Sequence, residues 1–157
     1  MEFKKHFIGE RAKALATVLL TRREDLSVEE TKKQSGLDFI VYIQGEEDSG
    51  RRPFGIVLRQ TMSPVTVQQA NQQLKPTMGS VKSIGPFYFP VCIFYFTVKD
   101  DTGYHTWGYE PVVTDKQTPE LRYHSSADCE YLTDESLDGI VGAVNAWYDV
   151  FEASIMR

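Results

Sequence analysis

Hydrophobic positions along the chain change period several times, and each change marks an element. Phe3, Phe7, Ala14, Leu15, Val18 and Leu19 recur at helical spacing and predict a helix over 3–22. Arg22 and Arg23 fall where cations suit a helix C-terminus. Residues 25–33 are polar and fit an edge strand or a loop. Residues 37–44 are rich in β-branched and aromatic types and read as a strand. A polar turn over 45–53 and a partner strand over 54–61 follow, with Pro64 ending the run. Residues 65–74 read as a short Gln-rich helix. The most apolar segment, 89–98, shows little polar alternation, which suits a central strand covered on both faces. After a turn at 100–103, residues 104–109 complete a hairpin, and 111–133 read as irregular or as short strands. The last helix begins at Thr133 or Asp134, either of which can cap it. Its apolar stripe is Leu137, Ile140, Val141, Val144, Trp147, Phe151 and Ile155. The order predicts an α/β or α+β sandwich, with helices packed on a mixed sheet in a single domain over 1–157.

Composition narrows this reading. The 157 residues are 41% hydrophobic and 25% charged, so the chain can build a core without staples. There is no apolar run long enough for a membrane span, and no signal core follows the N-terminal lysines. Cys92 and Cys129 form neither a metal spacing nor a disulfide framework, which points to a reduced, cytoplasmic protein. The net charge is −5. A dedicated nucleic-acid binder is usually basic, and this chain is not. Its acid is concentrated after residue 100, and that region reads first as a solvated face and second as a docking surface for a basic partner.

Two acids stand out. Glu10 follows Gly9 inside the first helix and borders its predicted apolar stripe, so it needs a partner, such as His6 one turn before, or a metal. Asp38 is the second residue of an apolar strand, where aspartate is unfavourable. At a strand start it is either a turn residue that accepts backbone N–H bonds or a divalent-metal ligand. Arg59 is a cation in the next apolar strand and also needs a partner. His105 and His124 have no ligand spacing and read as structural or exposed. Cys92 reads as an inert core residue, and Cys129, between Asp128 and Glu130, reads as a poor nucleophile. The Gln-rich helix reads as a solvated face, and Tyr104, Trp107 and Tyr109 as core or cross-strand residues.

Three fragments, Gly9-Glu10-Arg11-Ala12, Gly36-Leu37-Asp38-Phe39-Ile40-Val41 and Phe54-Gly55-Ile56-Val57-Leu58-Arg59-Gln60-Thr61, occur in that order. Together they resemble an uncharacterised bacterial domain family of the restriction-endonuclease-like, PD-(D/E)xK, fold. The resemblance runs loosely over 5–110 and continues into the last helix. It implies a mixed sheet flanked by helices and a phosphodiester hydrolase dependent on Mg2+ or Mn2+. Carried across, Glu10 and Asp38 match the first two metal ligands. The third position falls on Val57, and the family's lysine falls on Arg59. Valine cannot coordinate, so the neighbouring Leu58 offers only its backbone carbonyl, and arginine lacks the compact ammonium. The expectation is a nuclease-related protein with a degenerate site. It would act as a nucleic-acid-associated or regulatory subunit, with DNA ahead of RNA, in defence or mobile-element biology. The alternatives are an active divergent nuclease on Glu10, Asp38 and Arg59, and a protein-interaction module with an acidic C-terminal face.

Overall fold

The computed structural model describes residues 2–32, 35–45, 50–85 and 87–155, with side chains from Lys4 onward. The elements are α1 (Glu2–Thr21), β1 (Leu26–Glu30), β2 (Phe39–Ile43), β3 (Arg52–Thr61), α2 (Val67–Gln73) and α3 (Lys75–Ile84), followed by β4 (Val91–Thr97), β5 (Thr102–Val113), β6 (Pro119–Tyr123), β7 (Glu130–Tyr131) and α4 (Asp134–Ile155). The sheet runs β1-β2-β3-β4-β5-β6, and β7 also pairs with β5. The β3–β4 pair is parallel and the other pairs are antiparallel. Parallel neighbours need a crossover, and α2 and α3 supply it. The fold is therefore α/β, with a mixed sheet between an N-terminal and a C-terminal helix on one face and the crossover helices on the other.

The central strand explains the missing alternation. All seven residues of β4 are buried. Cys92, Phe94 and Phe96 enter the core with α1 and α4, while Ile93 and Tyr95 enter the core with α2 and α3. A strand covered on both faces has no side left for polar residues.

The first helix packs on a different face from the expected one. Its buried row is Ala12, Ala16 and Leu20, with Ile8, Leu15 and Leu19 beside it. Phe7 and Val18 are more than half exposed, and Ala14 is exposed. The i, i+4 alanines let the helix lie close on the sheet, which bulky Phe7 would not. The side chain of Phe3 lies outside the described residues, as do 46–49 of the predicted turn and Pro86.

The polar stretch 25–33 contains an edge strand, β1. The helix α3 has no counterpart in the sequence reading. Pro76 sits in its first turn, where a missing N–H is harmless, and Thr77, Met78 and Val81 are its buried residues. β5 extends to Val113, and β6 and β7 lie in the stretch read as irregular or short strands. Thr133 and Ser136 cap α4 reciprocally: each backbone N–H donates to the other's hydroxyl. The buried row of α4 ends at Tyr148, leaving Phe151 and Ile155 exposed. The Tyr148 hydroxyl and Arg52 then fasten α4 to the start of β3, with Arg52 Nη2 2.8 Å from Asp149 and 2.7 Å from Glu152.

Candidate functional site

The β1–β2–β3 corner gathers most of the residues that the motifs single out. Gly36 turns the chain into β2 with φ 79°, a left-handed conformation that favours glycine. A Cβ there would also collide with the Ile84 side chain of α3. Asp38 follows, one residue before β2. Its N–H donates to Ile56 O at 2.9 Å, and its carbonyl accepts from Thr31 N at 3.1 Å, so the ladder holds it on both sides.

The side chain of Asp38 then does two things. Its Oδ2 accepts the Leu58 N–H at 2.7 Å. The same oxygen lies 3.7 Å from Arg59 Nη1, which also donates to the Leu58 carbonyl at 2.8 Å. Asp38 is thus a backbone acceptor, and it is also the partner that a cation at Arg59 needs. The two side chains are 35% and 39% exposed, so solvent screens the pair and its strength is modest.

Glu10 differs from the expectation. It is exposed and does not border the buried row, because that row is set by Ala12, Ala16 and Leu20. Its ion-pair partner is Lys13, at 3.8 Å, rather than His6. Lys13 also donates to Glu30, at the end of β1, at 2.9 Å. That hydrogen bond chiefly holds the Lys13 ammonium above its ordinary pKa, and the charges of Glu30, Glu10 and Asp38 add to it against partial desolvation. Lys13 and Glu30 are the members of this corner that sequence reasoning missed. The i, i+3 spacing of Glu10 and Lys13 was readable, but the approach of β1 was not.

The donor set does not fit a Mg2+ or Mn2+ centre. Val57 is 1% exposed and packs into the α2/α3 core. The Leu58 carbonyl accepts from a guanidinium, and two cations face the carboxylates. Among the described residues no three His, Cys, Asp or Glu side chains stand close enough to hold a metal ion.

The remaining chemistry-bearing residues are mostly structural. Cys92 is fully buried, and burial pushes its thiol pKa up. Cys129 is pushed up to about 11, by burial first and then by Asp128. In the Gln-rich helix, Gln69 closes the capping box, Asn71 accepts the Cys129 N–H and Gln73 accepts from Tyr95. Tyr104 is buried, donates to Val65 O and packs at a tilt against Tyr131, with ring centroids 5.1 Å apart. Among the described residues, no helix is long and apolar enough to cross a membrane. No family model matches the chain, and comparisons with curated proteins and with solved structures return no match.

Proposed function

We propose that this chain is a nuclease-related protein whose hydrolytic site has degenerated, and that it serves as a nucleic-acid-associated or regulatory subunit. The observation that carries this reading is the position of Arg59. Its guanidinium lies against Asp38 Oδ2, just before β2, and the Leu58 carbonyl of β3, the oxygens that a metal at the motif positions would need. An arginine stays protonated at any working pH, so it competes with a divalent cation for those oxygens. The buried Val57 side chain leaves the third position without a donor. Lys13 provides a second fixed charge beside Glu10.

The chemistry left to such a corner is electrostatic. Arg59 can contact a phosphate without activating a water, and DNA is the preferred polymer in this reading, ahead of RNA. Binding of that kind weakens steeply with salt. The deciding experiment is a cleavage assay on single- and double-stranded DNA and RNA, with Mg2+ or Mn2+, beside Asp38→Ala. No cleavage, together with salt-sensitive DNA binding, is the expected result. Metal-dependent cleavage lost in Asp38→Ala would overturn the reading and make Glu10 and Asp38 catalytic ligands. Absence of nucleic-acid binding at low salt would also overturn it.

A further inference from the structure

Beyond β4 from this corner, β5 carries a second cluster of titratable groups. β6 pairs with β5 from Tyr109 onward and β7 pairs with it at Tyr104 and His105, so a gap opens between them. Residues after β6 bridge the gap: His124 N–H donates to Gly108 O at 3.1 Å, and Asp128 N–H donates to the Thr106 hydroxyl at 3.0 Å. The gap is a cavity of about 250 Å³ lined by His105, Trp107, Glu110, His124, Asp128 and Glu130. A neighbouring hollow of about 230 Å³ shares His105, Trp107 and Glu130 and continues against Gly139 and Ile140 of α4.

His105 is the anomaly here. It is 8% exposed, and neither ring nitrogen has a hydrogen-bond partner among the described residues. Buried polar groups are nearly always satisfied, and His105 borders both hollows, so its orphaned ring points to an absent partner. The nearest charge, Glu130 Oε2, is 3.7 Å from Nε2, too long for a hydrogen bond. Its side chain is 74% exposed and can swing clear. His124 is already engaged, with Nε2 2.7 Å from Glu110 Oε1.

We propose that this cavity binds an organic cation through its N–H donors, an alkylammonium or a guanidinium. Among the described residues, three carboxylates and no Lys or Arg line it, which excludes an anion on charge. The ligating groups do not converge on one point closely enough for a metal, whereas N–H donors on a larger cation reach several at once. One donor satisfies the acceptor nitrogen of neutral His105, and the others meet the carboxylates. Trp107 lines both hollows and supplies an aromatic ring beside the charge, and Ile140 offers an apolar wall to a methylene stem. The chemistry has two sources, a free polyamine or a Lys or Arg side chain of a partner protein.

The test is an NMR titration of the full chain, following the imidazole nitrogens of His105 and His124. One arm uses spermidine, a second an acetylated and amidated lysine peptide, and a third Zn2+. Saturable shifts of His105 with either organic cation are expected, and the arm with the stronger response identifies the source. Asp128→Asn and Glu130→Gln, which change exposed or half-exposed carboxylates, should each weaken that binding about tenfold while leaving the rest of the spectrum unchanged. No saturable shift with either amine, a response to Zn2+ alone, or full binding in the Asp128→Asn/Glu130→Gln double variant would each overturn the proposal. Nuclease activity is not part of the readout, so this site stands or fails apart from the Asp38 corner.

Discussion

The Asp38 corner and the His105 cavity use similar residues in opposite ways. At the corner, Arg59 faces Asp38, and Lys13 faces both Glu10 and Glu30. At the cavity, three carboxylates and two imidazoles gather with no Lys or Arg among the lining residues. The corner is exposed enough that its pairs contribute little to stability, yet they fill it. The cavity holds a buried imidazole without a hydrogen-bond partner among the described residues, which costs stability in the free protein. A self-neutralised cluster has little use for a ligand cation, whereas an unneutralised one is a receptor for one. The motif resemblance leads to the first cluster, and the stronger physical vacancy is in the second.

The sharpest way to break this contrast is to rebuild the corner. Val57→Gln with Arg59→Lys introduces the pattern of the family the motifs resemble but places an amide in the α2/α3 core. That should cost about 3 kcal/mol of unfolding free energy, from an unsatisfied polar group and overpacking together. Urea denaturation reads it, and a loss under about 1 kcal/mol would mean that the core accommodates the amide. Asp38→Ala is next. It strips the Leu58 N–H of its charged acceptor, with an expected loss of about 1.5 kcal/mol, and Asp38→Asn should recover part of it by keeping an oxygen there.

His105→Phe should move the other way. Replacing an orphaned imidazole by an apolar ring raises stability by about 1 kcal/mol, read as a higher urea midpoint. The same variant tests a pH dependence. Burial lowers the folded pKa of His105, against a smaller upward pull from Glu130. The groups facing it are Glu130 from β7, Glu110 from β5, and His124 and Asp128 from the bridge, while α4 contributes the uncharged Ser136. The unfolded chain then binds a proton that the folded chain resists. Stability is full above the ordinary histidine pKa of about 6.5 and falls as pH drops from there toward the folded value. His105→Phe should flatten that decline, and an unchanged decline would place its origin elsewhere. The smallest effect belongs to Lys13→Ala, whose exposed pairs with Glu30 and Glu10 should be worth about 0.5 kcal/mol or less, lost further in high salt.

Much of the fold was legible because its signals are local. The unalternating apolar run 89–98 reported a strand covered on both faces, and β4 is that strand. Thr133 announced the start of α4 through its own side chain. The first helix was legible as a helix, but its buried face was not. Large apolar residues suggested Phe7 and Val18, while close packing on the sheet selected Ala12 and Ala16. Small residues carry no hydrophobic signal that distinguishes contact from exposure. The helix α3 escaped notice for a related reason: it buries only Thr77, Met78 and Val81, and a proline stands in its first turn.

The site divides along the same line. Asp38 and Arg59 could be named because an acid or a cation in an apolar strand is visible one residue at a time, whereas Leu58 entered only through the motif resemblance. Their meeting depended on register, with Phe39 opposite Ile56, which chain composition does not encode. Lys13, Glu30 and the pairing of His124 with Glu110 depended on contacts between elements far apart in sequence. The sequence by itself determined the long helices and the apolar strands, and which positions carry charge where charge is unfavourable, because propensity and periodicity act over a few residues. Only the tertiary structure decided which charges neutralise each other and which imidazole is left without a partner. Electrostatic and hydrogen-bond energies depend on distances across the sheet, and folding sets those distances.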